Sequence, residues 1–140
     1  MKLNNYNLQH LIINQRTIII FKALLLSTLL LCTLPALADF AKGWDAYQNK
    51  DYATAFKELK PLVDQGCAYG QSRLGRMYEY GKGVFQDFTR AHMGFNIAAS
   101  QGIEYGQKNR DKAAKLMTIS QIAEAQTLAR ECWAKDYKGC

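Results

Sequence analysis

Proline and histidine are scarce in this chain of 140 residues, which has two of each. Two prolines beside ten glycines exclude collagen-like and proline-rich proteins. The alternation of apolar and polar residues that marks half-buried strands is missing from residues 39–140. Hydrophobic residues make up 49% and charged residues 21% of the chain, which is a composition for one folded domain rather than a disordered protein.

Sequence motifs of the common enzyme classes are also missing. The chain has no G-x-S-x-G, S-x-x-K, phosphate-binding loop or G-x-G-x-x-G. Outside the N-terminal segment the one histidine is His92, which we expect at the surface or at the edge of the core. One histidine with scattered cysteines matches no zinc-ligand spacing. We therefore expect no catalytic residue, no metal and no cofactor.

The positive charge of the chain is divided between two unlike parts. Residues 1–38 contain three basic residues and no acidic one, and residues 39–140 contain 15 basic and 12 acidic residues, so each part carries +3. A charge of +3 is ordinary for a folded domain of this size, and we expect no nucleic-acid partner.

The first 38 residues have the three parts of a secretory signal peptide. Lys22 precedes the apolar run Ala23–Leu34, and the small residues Ala36 and Ala38 form an A-x-A site before Asp39. A basic region, an apolar region and a small-residue cleavage site in this order are typical of secreted proteins. We predict cleavage between Ala38 and Asp39.

Two alternatives for this segment stay open. Ile18–Leu37 has about the twenty residues that a membrane-spanning helix needs, although Lys22 lies within it. Cys32 is a candidate for lipid attachment, but it follows Leu31, where lipoprotein signals have a small residue. The first alternative would leave the protein anchored in the inner membrane.

An internal repeat marks the remaining residues. Tyr69-Gly70-Gln71 recurs as Tyr105-Gly106-Gln107, and Asp51-Tyr52 recurs as Asp87-Phe88, both thirty-six positions later. Apolar residues follow three- and four-residue steps, as on one face of a helix. Asp51 and Asp87 are predicted N-caps, and a capping box is predicted at Thr118. The pattern predicts an all-α domain of six helices in three antiparallel pairs over residues 40–135.

Residues 67–102 resemble the Sel-1-like repeat, a relative of the tetratricopeptide repeat. The resemblance is carried by small, apolar and glycine positions at fixed spacing: Ala68, Leu74, Gly75, Met77, Tyr78, Gly81, Gly83, Val84, Asp87, Ala91, Ala98, Ala99 and Gly102. Residues 40–66 resemble a shorter tetratricopeptide-like unit, and residues 103–135 resemble a divergent closing unit. The resemblance implies an α/α superhelix, or solenoid, that binds other proteins and is often secreted or periplasmic.

One position departs from the pattern, because Gly94 stands where these repeats usually have tryptophan. The missing side chain leaves a space that a neighbouring aromatic residue, such as Trp44 or Trp133, fills, or else a small pocket. We expect a tryptophan or leucine at Gly94 to be tolerated. Gly75 and Ala91, if they face each other, let two helices approach closely, and Gly81 and Gly83 suit the positive φ angles of the loop between the helices.

The resemblance also implies a disulfide. Secreted cysteine-rich members of the family pair cysteines at the spacing of Cys132 and Cys140. Cys67 is then left unpaired, as a small buried apolar residue or as a site for an intermolecular disulfide.

The first helix of each pair is expected to present the partner surface. Its exposed residues are predicted to include Arg73, Arg76, Tyr80, Gln107, Lys108 and Arg110. Their positive charge favours an acidic peptide or an acidic envelope polymer as the partner. The predicted function is therefore a non-enzymatic protein-interaction module of the bacterial periplasm or the secreted fraction.

Two other functions remain. An uncleaved Ile18–Leu37 would make the protein a membrane-tethered structural subunit. Some cysteine-rich relatives have been linked to β-lactam binding, which implies a β-lactam-binding or hydrolase-like protein, although the S-x-x-K nucleophile motif of serine β-lactamases is missing.

Overall fold

The computed structural model describes residues 34–140, which form six α-helices and no strand. The helices are α1 (Leu34–Gln48), α2 (Tyr52–Asp64), α3 (Ala68–Tyr80), α4 (Phe88–Ser100), α5 (Glu104–Ala114) and α6 (Ile119–Trp133). The all-α prediction is confirmed for these residues. The predicted apolar signal region up to residue 33, including Cys32, lies outside the described residues, whereas the predicted cleavage site at Ala38 and Asp39 lies inside α1.

Side-chain caps fix where three of the helices begin. The carboxylate of Asp51 accepts a hydrogen bond from the Thr54 N–H at 3.1 Å, and that of Asp87 accepts one from the Arg90 N–H at 2.9 Å. Both satisfy donors that the first helical turn leaves without a partner. At α6, Thr118 and Gln121 form the reciprocal capping box that the sequence predicts.

The largest apolar core lies between α1, α2 and α3. It is built on Leu59, Leu62 and Val63 of α2, which are each 1% exposed, and on Leu74 and Met77 of α3. These positions recur every three or four residues, so each helix turns one apolar face inward. Leu74 and Met77, two apolar positions of the repeat motif, therefore lie in the core.

Gly75 brings α3 and α4 together. A Cβ atom at Gly75 would lie 3.0 Å from the ring of Phe95 and 3.2 Å from the carbonyl oxygen of Ala91. Only a residue without a side chain allows the two helices to pack at this distance. The predicted close approach of Gly75 and Ala91 is confirmed.

Gly94 is a second close contact between the same helices, and this geometry argues against the predicted tolerance of a large residue. A cleft of about 720 Å³ opens beside Gly94. A Cβ atom there would nevertheless first meet the backbone of α3, at 2.9 Å from the Gln71 carbonyl oxygen and 3.4 Å from the Gly75 Cα. Neither predicted aromatic residue fills the position, because Trp44 packs on Arg73 and Trp133 is 66% exposed. At this position of the repeat, glycine instead of tryptophan allows the backbones of α3 and α4 to lie close together.

The loop between α3 and α4 has the backbone that its glycines predict. Gly81 and Gly83 have φ angles of +62° and +73°, where an L-residue is strained. A Cβ at Gly83 would also lie 2.6 Å from the Tyr52 carbonyl oxygen. Val84 packs against the core of the first three helices.

The third helix pair is splayed. The last helix, α6, packs against α4, and few of its residues approach α5. The prediction of three packed helix pairs is therefore correct for α1–α2 and α3–α4, whereas α5 and α6 do not pack closely on each other.

A disulfide closes the chain after α6. Cys132 and Cys140 are bonded, as the resemblance implies, and Cys67 is free and buried. The closed loop returns to the turn between α2 and α3, where the Gly139 N–H donates to the Asp64 carbonyl oxygen at 3.0 Å. None of the described helices is both long enough and apolar enough to cross a membrane.

Candidate protein-binding surface

An arginine stacked on a tryptophan marks the surface formed by the first helices. The guanidinium carbon of Arg73 on α3 lies 3.8 Å from the centre of the Trp44 ring on α1. Tyr47, one turn after Trp44, stacks on the same indole with ring centres 5.8 Å apart and planes within 7°. A cation over an aromatic face is attracted to the ring, and the contact holds the planar guanidinium in one orientation.

Exposed tyrosines surround this stack. Tyr69 on α3 packs edge-on against Phe40 of α1, with ring centres 6.1 Å apart, and remains 53% exposed. Tyr105 on α5 is 43% exposed and is close enough to Arg73 to influence its ionisation. We call the surface of Trp44, Tyr69, Arg73, Arg76 and Tyr105 the first-helix surface, because α1, α3 and α5 each contribute to it.

The charge of the first-helix surface is mainly positive. Partial burial lowers the pKa of Arg73, with the neighbouring charge of Arg76 acting in the same direction, yet an arginine stays ionised at neutral pH. Among residues 34–140, no carboxylate lies within ion-pair distance of Arg73 or Arg76. Burial raises the pKa of Glu79, and the nearby charges of Arg76 and Lys112 oppose that shift. The surface thus presents guanidinium groups that have no anionic partner among the described residues.

Lys82 fastens the glycine loop to one edge of this surface. Its ammonium group donates a hydrogen bond to the Tyr47 hydroxyl at 3.1 Å and lies 5.7 Å from the centre of the Tyr80 ring. The hydrogen bond raises the pKa of Lys82, since it favours the charged form. The loop is held against α1 through a contact between residues that are far apart in sequence.

The structure brings some of the predicted partner residues together and separates others. Arg73, Arg76 and the 55% exposed Tyr80 all project from α3, and Gln107 and Lys108 are exposed on α5. Arg110 does not join them, because its guanidinium donates to Asn96 of α4 and to Asp111. His92, predicted near the surface, is buried at 3% exposure.

The sequence prediction missed the aromatic residues of the first-helix surface. A signal for two of them was present, since Tyr69 and Tyr105 are equivalent positions of the internal repeat. Each is followed by a buried glycine, where a Cβ would lie 3.3 Å from Leu62 at Gly70 and 2.7 Å from the Ala99 nitrogen at Gly106. In each repeated Tyr-Gly, the glycine lets the start of its helix lie close to the preceding helix, and the tyrosine is exposed to solvent. Trp44 had no such signal, because its role depends on a contact with another helix.

The fold of the described helices is similar to that of a solved repeat protein. The chain is similar over 67% of its length to the crystal structure of a protective antigen present in uropathogenic Escherichia coli strains, which displays an SLR (Sel-1-like repeat) fold. The sequence identity is 29% and the TM-score is 0.64. The similarity covers 21% of the antigen chain, so the present chain matches about a fifth of that protein. No protein-family profile and no curated protein sequence matches the chain.

Proposed function

We propose that this chain, which has the fold of Sel-1-like repeat proteins, is a non-enzymatic interaction module that binds an acidic segment of a partner protein outside the cytoplasm. The observation that carries this proposal is the stack of Arg73 on Trp44 beside exposed tyrosines. Repeat proteins of stacked helices use such extended surfaces for recognition.

The chemistry of the first-helix surface suits a carboxylate. A guanidinium has five N–H donors in a planar fork that matches the two oxygens of a carboxylate. Stacking on Trp44 fixes the plane of the Arg73 guanidinium before the ligand arrives, which reduces the entropy lost on binding. Tyr69 and Tyr105 add exposed aromatic contact area to the surface. Tryptophan, tyrosine and arginine are the residues that most often dominate interface energies. With fewer than three complete repeats the surface is small, and we expect modest affinity for a single copy.

The bacterial cell envelope or the secreted fraction is the proposed location. The Cys132–Cys140 disulfide supports it, because disulfides persist in oxidising compartments and are rare in the cytosol. The predicted signal peptide agrees with it. The mass of the intact protein recovered from the envelope should correspond to a chain that begins at Asp39. A full-length mass in the membrane fraction would instead support the membrane-tethered alternative.

Photo-crosslinking in living cells tests the partner surface. A photoreactive amino acid at Tyr69 should trap a partner, and Arg73→Glu in the same chain should reduce the crosslinked yield at least about tenfold, because it replaces an attraction by a repulsion. Lys57→Glu is the matched control, since Lys57 is exposed on α2 and the charge change is identical. Equal losses for both variants would show a response to net charge alone and would contradict the proposed surface.

A further inference from the structure

A second polar cleft lies between α4, α5 and α6. Because α6 packs on α4 and hardly approaches α5, a space of about 500 Å³ remains between them. Its polar lining is His92 and Asn96 from α4, Arg110 and Asp111 from α5, and Gln126 and Arg130 from α6. Arg110 follows Tyr105 by five residues, which puts it about 140° around α5 from Tyr105. The cleft therefore faces away from the first-helix surface.

Two guanidinium groups in the cleft have donors to spare. Arg110 donates to the Asn96 side chain at 3.2 Å and to the Asp111 carboxylate at 2.8 Å. Arg130 donates to the Thr127 hydroxyl at 2.9 Å, and no carboxylate of residues 34–140 lies within ion-pair distance of it. Each guanidinium has five N–H groups, so both can bind a further acceptor.

His92 is the observation that points to a ligand. The side chain is 3% exposed, it lines the cleft, and its Nδ1 atom has no hydrogen-bond partner among the described residues. Buried polar atoms nearly always have a partner, so this ring nitrogen lacks one that a bound molecule can supply. Burial lowers the pKa of His92, with Arg110 adding to that effect and Asp111 opposing it, so the ring is neutral at pH 7. Arg110, Arg130 and Asp111 then give the cleft a net charge of +1.

An aromatic pocket lies next to the cleft. A neighbouring space of about 400 Å³ shares Asn96 and Arg130 with it and is bounded by Trp133 and Tyr137. Trp133 is 66% exposed, which is unusual for a large apolar side chain. Because Asn96 and Arg130 line both spaces, a ligand held at Arg130 lies next to both the charged cleft and the aromatic pocket.

We propose that these two neighbouring pockets form a second binding site, which takes a peptide carboxylate beside Arg130 and His92 and a neighbouring apolar side chain against Trp133. The charge of the cleft selects the ligand, because one carboxylate neutralises +1 whereas a phosphate dianion leaves an excess negative charge in a partly buried site. Arginine also matches the two oxygens of a carboxylate. The site goes beyond the function proposed above, since it uses neither Arg73 nor Trp44.

Nuclear magnetic resonance titration of the purified protein tests the site with defined probes. N-acetyl-phenylalanyl-glutamate amide should shift the Trp133 indole N–H, the Arg130 guanidinium N–H and the His92 ring signals. The glutamine counterpart of this dipeptide should bind at least about tenfold more weakly, because it lacks the charge that strengthens the hydrogen bonds. N-acetyl-glutaminyl-phenylalanine with a free C-terminus shows whether a terminal carboxylate serves as well as a side-chain one. Equal binding of the glutamate and glutamine dipeptides, or tighter binding of inorganic phosphate, would overturn the proposal.

Variants separate this site from the first-helix surface. Arg130→Gln should weaken the glutamate dipeptide about tenfold and, because Arg130 is exposed, should leave the fold intact. Trp133→Ala should weaken it less and should abolish the preference for the apolar side chain. Arg73→Gln should leave the dissociation constant within about twofold. Loss of binding in Arg73→Gln but not in Arg130→Gln would assign the peptide to the first-helix surface and refute the second site, whatever the outcome of the crosslinking at Tyr69.

Discussion

Large aliphatic side chains join α1, α2 and α3, whereas α5 and α6 bury mostly alanine and glycine. The first region encloses Leu59, Leu62, Leu74 and Met77 in one cluster. The last two helices bury only Gly106, Ala113, Ala125, Ala129 and Cys132. Small residues allow close approach but remove little apolar area from water, and stabilisation is roughly proportional to that area. The two ends of the domain are therefore held together by different means.

The C-terminal end makes up for its small core with covalent and backbone contacts. The last unit of a stack has no following neighbour to cover it. Here the Cys132–Cys140 disulfide closes the end of α6, and Gly139 bonds to Asp64 at the turn after α2. The turn between α2 and α3 also packs closely against the disulfide-closed loop, since a Cβ at Gly66 would lie 3.2 Å from the Asp136 carbonyl oxygen. The last helix is thus tied back to the well-packed first region.

Overpacking the α3–α4 contact should have the largest effect. Gly94→Trp forces a ring against the Gln71 carbonyl oxygen, and we expect it to lower the free energy of unfolding by about 3 kcal/mol. Gly94→Ala should cost less, because a methyl group needs a smaller shift and alanine favours the helix. Ser100→Trp, at an exposed position of the same helix, is the control. Denaturant unfolding measures all three, and a higher midpoint for Gly94→Trp would mean that the open cleft beside α4 accepts the ring.

Breaking the disulfide should weaken the C-terminal end. Cys140→Ser is expected to reduce stability by about 2–3 kcal/mol, since the crosslink restricts the unfolded chain. Amide hydrogen exchange should rise most in α6 and in the turn at Gly66, and little in α2.

The number of free thiols in the unfolded protein tests the Cys132–Cys140 pairing independently. A chain that begins at Asp39 should show one free thiol, from Cys67, when it is unfolded without reduction. Three free thiols, or a bridge that includes Cys67, would contradict the assignment.

Lowering the pH should reduce the stability of the protein through His92 on α4, which lies between the two regions. The effect should be smaller than that of the substitutions above. Burial lowers the pKa of His92 in the folded protein, so the unfolded chain gains its proton first as the pH falls below about 6.5. The contribution of the neutral His92 ring to stability is therefore fully present above that pH. It is lost as the pH falls toward the pKa of His92 in the folded protein. Arg110, Asp111 and Arg130 are the charged groups that share its cleft. Thermal unfolding at pH 7.5 and 5.5 should show a larger drop for the wild type than for His92→Gln, and equal drops would exclude His92 as the cause.

Local signals made most of the secondary structure predictable. The caps at Asp51, Asp87 and Thr118 depend on hydrogen bonds over three residues, and the glycine loop at Gly81 and Gly83 depends on its own backbone angles. Such features are complete within a few residues, so a sequence pattern contains all that decides them. The disulfide was expected from resemblance, because the spacing of two cysteines alone does not fix their pairing.

What the sequence by itself determined about this protein is its helices, their caps and the glycine loop, because each rests on interactions between neighbours in the chain. Only the tertiary structure decided that Gly94 lies against the backbone of α3, that Trp44 stacks under Arg73, and that Arg110 turns toward α4. These three outcomes depend on how far apart two packed helices lie and how they are rotated. That spacing and rotation come from the side chains of both helices together, so no pattern within one helix contains them.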